Sequence, residues 1–216
     1  MNRISEIFLK ELIVEFRQKY ALGGIFLFSA TVVFLVYKVF NTVSGLEWSI
    51  MLWIITMFAG LNAIVKSFGQ ENKGTYLYYY SLLDPTELII AKIIYNSLFL
   101  IALFGTILLF MSLFLGYPVK DPGLFLGASL LGLIGLSTVL TFISLMAHSG
   151  QSGSTLMSVL SIPLILPIML LLLKTTAVSL RLIGDTSVDQ DVWMLAGIDA
   201  IMLGSVILLF PTLWRS

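Results

Sequence analysis

The sequence predicts an all-α membrane protein with six transmembrane helices, an N-terminal interfacial amphipathic helix and a cytoplasmic helix between spans 2 and 3. Three observations predict this class. Of the 216 residues, 58% are hydrophobic and only 11% are charged, whereas a soluble domain carries roughly 25% charged residues. Several apolar runs reach the ~18 residues that a spanning helix needs. These runs are continuous rather than alternating, which argues against membrane-spanning strands.

Charge and cysteine content exclude several classes of function. The formal net charge is zero, so no nucleic-acid partner is expected. The chain has no cysteine, which excludes disulfides, thiolate metal sites, iron–sulfur ligation and heme attachment through Cys. No cleavable signal peptide is expected. The pattern also lacks a Ser/His/Asp set, paired intramembrane carboxylates and metal-ligand spacing. We therefore expect no catalytic residue, no metal and no enzyme activity in this chain.

The first twenty residues are predicted to form an amphipathic helix that lies in the membrane interface and leads into span 1. Ile4, Phe8, Leu12 and Phe16 recur at helical spacing, and acids and bases alternate on the polar side. The alternative is a short solvated helix. The interfacial interpretation is favoured because a spanning segment follows at once.

Six apolar segments then follow in one domain that covers residues 1–216. The predicted spans are residues 21–40, 49–65, 89–115, 124–147, 155–173 and 193–213. Trp48 and Trp53 at the edge of span 2 are interpreted as interfacial anchors. Residues 174–192 are predicted to form a second interfacial segment. The glycines and small residues of span 4 indicate close helix packing and no specific chemistry.

Lysine and arginine residues predict the orientation in the membrane. With the N-terminus in the cytoplasm, eight of them lie on inside segments and four on outside segments. The positive-inside rule therefore predicts a multi-pass protein of the cell (inner) membrane with both termini and the loop 66–92 in the cytoplasm.

The loop 66–92 is the most informative stretch, because it is polar and Tyr-rich between two long apolar runs. Asp84 is a good N-cap, Pro85 suits the first helical position, and Glu87 can complete a capping box. A short helix is also predicted over residues 75–83. The predicted contact surface for a protein partner consists of Glu71, Gly74, Tyr76, Tyr79, Tyr80, Leu83, Asp84 and Pro85. The alternative for the tyrosines is an aromatic belt at the lipid headgroups.

Gly69 and Gly74 have the spacing of a phosphate-binding loop, but Thr75 stands where that motif needs a lysine. The loop also follows a spanning helix rather than a strand. If ATP hydrolysis drives this protein, a separate chain must therefore supply the ATPase activity.

Four residues within or beside the spans are further candidates. Pro163 and Pro167, four residues apart in span 5, predict either a hinge or a fixed kink. Asp199 in span 6 is an intramembrane carboxylate, which is a functional candidate unless a polar neighbour gives it a packing role. His148 is the sole histidine. It could ligate heme, but no second histidine or cysteine supports that role.

The architecture resembles the membrane subunit of ABC-2-type transporters, and two regions resemble heme exporter protein B, the cytochrome c maturation permease. The first carries Glu71-x-x-Gly74-Thr75, Leu82-Leu83-x-Pro85-Thr86-x-Leu88 and Ala91-Lys92. The second carries Ser149-Gly150 and Ser158-Val159-Leu160-x-x-Pro163-Leu164-x-x-Pro167. The length and the number of spans also agree. The tyrosine run and the acidic residues 185–191 are not part of the family pattern.

The resemblance implies a half-transporter that dimerises and binds two copies of a cytoplasmic ABC ATPase subunit through a coupling helix in the loop 66–92. It also implies assembly with the heme-handling membrane subunits of cytochrome c maturation. ATP hydrolysis would then serve heme export or release of the heme-loaded chaperone. Heme would be a substrate, and no cofactor is expected to be bound by this chain itself.

Two alternatives remain open at this point. The chain could be a non-transporting assembly subunit of the heme-handling complex, because few polar groups line its spans. It could also be an ABC-2 permease for a lipid or peptide substrate, which neighbouring genes for immunity or polysaccharide synthesis would indicate.

Overall fold

The computed structural model describes residues 8–9, 19–40, 42–69, 84–149, 153–184 and 187–214. These residues form six long helices and, at 8–9, a piece of helix before them. We number the long helices α1 (Lys19–Val39), α2 (Gly45–Gly69), α3 (Pro85–Leu115), α4 (Pro122–Ser149), α5 (Gly153–Ser179) and α6 (Val188–Trp214). The described part of the chain contains no strand, so the predicted all-α class is confirmed.

Among the described residues, four helical segments are long and apolar enough to cross a membrane by length and composition: Gly45–Ile64, Pro85–Leu115, Pro122–Ser144 and Val188–Pro211. Two shorter apolar segments are Gly23–Val39 and Pro163–Ser179. The helices run alternately up and down. We call the end of the bundle where α2 ends and α3 begins the loop end, and the other the opposite end.

Side chains that cap the backbone set the starts of three helices. Ser44 and Glu47 form a capping box at α2: Glu47 Oε2 accepts from Ser44 N at 2.8 Å, and Ser44 Oγ accepts from Glu47 N at 3.3 Å. Asp84 Oδ1 accepts from Thr86 N at 3.1 Å. At α4, Asp121 Oδ1 accepts from Leu124 N at 3.2 Å. These bonds satisfy amides that the first helical turn leaves free.

Helix α4 occupies the centre of the bundle and packs against α2, α3, α5 and α6, whereas α1 packs mainly on α2 and α3. Small residues on α4 permit this close approach. At Gly132, an added Cβ would lie 2.7 Å from both Cγ and Cδ1 of Leu172 on α5. The packing role predicted for the small residues of this span is therefore confirmed at Gly132.

The prediction that Trp48 and Trp53 are interfacial anchors is wrong. Trp48 is 1% exposed and Trp53 is fully buried. The Trp53 ring stacks on Phe104 at 5.3 Å between centroids, and its Nε1 donates to Thr176 Oγ1 at 2.9 Å. For Trp53, a buried partner for the indole N–H removes the reason for an amphipathic ring to stay at the headgroups; Trp48 Nε1 has no such partner among the described residues.

The predicted end of span 5 at residue 173 is wrong, because α5 continues to Ser179 and so includes the first part of the predicted interfacial segment 174–192. The helix ends in a Schellman motif, in which Leu182 N donates to the carbonyl oxygen of Ala177 and Arg181 N to that of Val178. Arg181 has a φ of 56°, a position where glycine is usual. Residues 188–192 belong to the start of α6.

At the opposite end of the bundle, the carbonyl oxygen of Ser179 joins the end of α5 to the connection between α3 and α4. This last-turn carbonyl accepts from Lys120 N at 3.1 Å and from Asp121 N at 2.9 Å. The connection between α3 and α4 is therefore bonded to the end of α5. Nearby, Lys174 Nζ donates to Asp191 Oδ1 at 3.1 Å and lies 2.8 Å from Oδ2, which joins α5 to α6.

Candidate functional site

The loop end of α3 carries the best-defined functional features among the described residues. The predicted cap is confirmed: Asp84 is the N-cap, Pro85 is at the start of the helix, and Thr86 Oγ1 donates to Asp84 Oδ1 at 2.7 Å. The predicted capping box would also use the side chain of Glu87. One oxygen of that side chain, Oε2, is buried and has no hydrogen-bond partner among the described residues, so this oxygen does not cap the helix. The capped start of α3 therefore lies within the predicted loop 66–92.

An apolar cluster joins this end of α3 to the end of α6. Its buried members are Leu88, Ile89, Ala91, Ile93, Val206 and Phe210, and Phe142 of α4 packs beside them. This cluster is separate from the main core of the bundle. Lys92, in the same stretch, is only 1% exposed. Movement of the start of α3 must therefore move the last turns of α6 or unpack the cluster.

One helical turn further along, hydrogen bonds attach α3 to the central helix. Asn96 Nδ2 donates to Thr141 Oγ1 at 2.8 Å, and the hydroxyls of Ser97 and Ser137 share a hydrogen bond. All four side chains are buried. Sequence reasoning missed these residues. Their signal was the polar pair Asn96-Ser97 within the apolar run 89–115.

The N-terminal segment touches the same part of α3. The ring of Phe8 lies edge-on to Tyr95, with 6.2 Å between centroids, and residues 8–9 are helical. The rest of the predicted interfacial helix lies outside the described residues.

Asp199 lies buried between α6 and α4, and it is 8% exposed. Neither carboxylate oxygen has a hydrogen-bond partner among the described residues. A Cβ added at Gly135 would lie 2.5 Å from Asp199 Cγ. The structure therefore places the carboxyl directly against the backbone of the central helix.

The other predicted residues stand as follows. Pro163 and Pro167 both lie inside the helix α5, and whether they act as a hinge stays a prediction. The predicted surface residues Glu71, Gly74, Tyr76, Tyr79, Tyr80 and Leu83, and the side chain of His148, lie outside the described residues. No group of three His, Asp or Glu side chains converges on a metal position within the described ranges.

The described residues form six long helices, of which α4 packs against four others, and four of the six are long and apolar enough to cross a bilayer; this defines a helical multi-pass membrane protein. Within that class, the family model described as CcmB protein matches residues 2–211. The chain therefore belongs to the CcmB family, heme exporter protein B, which confirms the resemblance found in the sequence. Comparison with curated proteins found no match, and neither did comparison with solved structures.

The family assigns a broad role. CcmB proteins are a membrane component of the ABC-type heme-export system of cytochrome c maturation.

Proposed function

We propose that this chain is the permease subunit of an ABC transporter complex for cytochrome c maturation, and that the loop 66–92 is the docking site for a separate ATPase subunit. The observation that carries the proposal is the family match over residues 2–211, together with the capped start of α3 within this loop. ATP hydrolysis in the partner would drive heme export or release of the heme-loaded chaperone.

The dimensions of α3 support the coupling role. Its 31 residues extend about 46 Å, against a hydrocarbon core of ~30 Å. Several turns therefore project beyond the hydrocarbon or α3 is tilted, and projecting turns at the loop end would reach a cytoplasmic partner. A helix is a rigid element over this length. A push on its start would be delivered to the region of Asn96 and Ser97.

Two sets of contacts would then transmit a displacement of α3 to other helices. The apolar cluster with Val206 and Phe210 would carry it to α6, and the hydrogen bonds of Asn96 and Ser97 would carry it to α4. Because α4 packs against four other helices, movement of α4 would rearrange most of the bundle.

The remaining parts of the proposal follow from the family and the charge pattern. The chain would lie in the inner membrane with both termini cytoplasmic, pair with a second copy of itself, and contact the heme-handling membrane subunits. It would have no enzyme activity of its own and would bind no resident cofactor. Heme would be its cargo.

The docking role is tested by placing negative charges on the predicted contact surface. We expect Tyr79→Asp combined with Leu83→Asp to abolish co-purification of an ATP-binding subunit from the native membrane in mild detergent. Ile183→Asp is the matched control, because Ile183 is 48% exposed in the connection at the opposite end. Membrane insertion should survive in both variants. An unchanged yield of the ATPase with the double variant would refute the docking role.

A second candidate is a non-transporting assembly subunit, and one observation favours it. Many buried hydroxyls bond to carbonyls of their own helix, including Ser29, Thr56 and Thr175, and so offer no polar group to a passing ligand. Vesicles that contain only this chain and its ATPase distinguish the two candidates. ATP-dependent heme accumulation would exclude the assembly role, and its absence together with full ATPase activity would favour that role.

A further inference from the structure

The carboxyl of Asp199 is buried without a hydrogen-bond partner among the described residues. Asp199 lies eleven residues after the first residue of α6, about 16 Å along the helix, and six residues into the predicted span 193–213. Its side chain is more than nine-tenths buried. Both oxygens lack a hydrogen-bond partner among the described residues, although buried carboxyls normally have one.

The position of the carboxyl depends on a glycine of the neighbouring helix. A Cβ at Gly135 would lie 3.0 Å from Oδ2 and 2.5 Å from Cγ of Asp199, and closer still to Oδ1. The carboxyl therefore fills the space that a side chain at position 135 would need. Contact between α4 and α6 at this level excludes water from the carboxyl.

Charged groups on the helices that pack against α6 are distant along the bundle. The helices α3, α4 and α5 contact α6, and α4 has no ionisable residue between Asp121 and His148. The described ionisable side chains on α3, on α5 and elsewhere on α6 are Asp84, Glu87, Lys92, Tyr95, Lys174, Asp189 and Asp191.

None of these groups is placed to pair with Asp199. The start of α3 packs at the level of Val206 and Phe210, at least seven residues or about 10 Å beyond Asp199 along α6. On the other side, Asp191 is eight residues away and is bound by Lys174. An ionised carboxylate without a partner in such surroundings loses several kcal/mol of solvation, whereas a neutral carboxyl loses far less.

We propose that Asp199 is a proton-binding site in the middle of the bundle, which holds its proton while α4 and α6 are packed at Gly135 and exchanges it with water only when the two helices separate. On separation, the O–H bond breaks, the proton passes to water, and the carboxylate remains on α6. Repacking requires that a proton be taken up again. The helix movement and the proton are thereby linked, whatever the cargo of the complex.

Infrared spectroscopy tests the protonation state without any need for reagent access. We expect the full chain in lipid vesicles at pH 7.5 to show the carbonyl stretch of a protonated carboxyl, and Asp199→Asn to lose that band. Asp191→Asn is the matched control, because Asp191 is equally buried at 6% exposure but bound by Lys174; it should leave the band unchanged. No loss of the band in Asp199→Asn would overturn the proposal.

A lipid-soluble carbodiimide provides a second measurement that needs no variant. Dicyclohexylcarbodiimide reacts with protonated carboxyls in apolar surroundings and leaves a stable adduct that mass spectrometry locates. Over pH 6 to 8, we expect adduct at Asp199 in undiminished yield and none at Asp191. Equal labelling of both residues, or a yield at Asp199 that falls with rising pH as at exposed Asp189, would contradict a proton held by packing.

The link to helix packing is tested at the glycine. Gly135→Ala inserts a methyl group into the space of the carboxyl and should force α4 and α6 apart, so the infrared band should disappear as the pH is raised from 6 to 8. Gly127→Ala on the same helix is the control, because no atom lies within 4 Å of its added Cβ. A band that persists at pH 8 in Gly135→Ala would show that protonation does not depend on this contact.

Discussion

Gly132 gives the sharpest test of the packing at the central helix. In Gly132→Ala, the new Cβ would meet three atoms of Leu172, two of them at 2.7 Å and Cδ2 closer still. Contacts under 3.0 Å are not tolerated, and Leu172 is fully buried, so it cannot swing into lipid. Overpacking of this kind destabilises a core by about 1–3 kcal/mol.

The assay is thermal unfolding in detergent, followed by the fluorescence of the buried tryptophans. At about 2–4 °C for each kcal/mol in a chain of this size, Gly132→Ala should lower the Tm by about 2–12 °C. Gly127→Ala is the control, because its Cβ would have open space; alanine is the better helix former, so its Tm should be unchanged or slightly higher.

A double variant separates this clash from other effects. Leu172→Ala alone leaves a cavity and should destabilise by about 2–5 kcal/mol. When it is combined with Gly132→Ala, the added methyl occupies part of that cavity, so the loss should be smaller than the sum of the single losses by about 0.5–3 kcal/mol. Additive losses, or a Gly132→Ala variant as stable as the wild type, would refute the packing described for α4 and α5.

Three further predictions concern the caps, the ion pair and the buried indole. Asp84→Ala should destabilise α3 by about 0.5–2 kcal/mol, and Asp84→Asn, which keeps a capping oxygen, by much less; unfolding in denaturing detergent measures both. Lys174→Ala leaves the buried Asp191 without its cation and should lower the free energy of unfolding by about 1–2 kcal/mol. Asp191→Asn should cost less, because the Lys174 that it leaves unpaired is 40% exposed and can be solvated. Equal losses in the two variants would contradict the pairing. Trp53→Phe keeps the ring stack on Phe104 but leaves Thr176 Oγ1 without its donor, so we expect a loss of about 1 kcal/mol, which Thr176→Val in the same background should not increase.

The features that were predicted correctly from the sequence depend on residues close together along the chain. The start of α3 at Asp84 and Pro85 was predicted correctly, because capping depends on side chains within a few residues of the helix start. The six helical segments were also predicted, because a long apolar run has few other structures open to it in a membrane.

Predictions that depended on neighbours in space were weaker. A pattern along one chain gives depth in the bundle but not the face of the helix, so Trp48 and Trp53 were assigned to lipid headgroups although they lie inside. The end of α5 was placed too early because Lys174 interrupts the apolar run, and its partner Asp191 is seventeen residues away. The burial of Asp199 without a hydrogen-bond partner could not be predicted either, since its surroundings depend on Gly135 of another helix.

The two ends of the bundle are held by different kinds of contact. Toward the opposite end, the rings of Trp48, Trp53, Phe104 and Phe125 lie 5.3–6.3 Å apart in a chain that joins α2, α3 and α4. Toward the loop end, α3 and α4 meet through rotatable hydroxyl and amide groups, including Asn96 and Thr141, and α3 meets α6 mainly through aliphatic side chains. A hydroxyl exchanges partners by turning about one bond, whereas interlocked rings must separate before they can move. We therefore expect the bundle to be soft where the loop acts on it and stiff at its far side, so that a displacement that begins at α3 is largest near the loop and fades across the membrane.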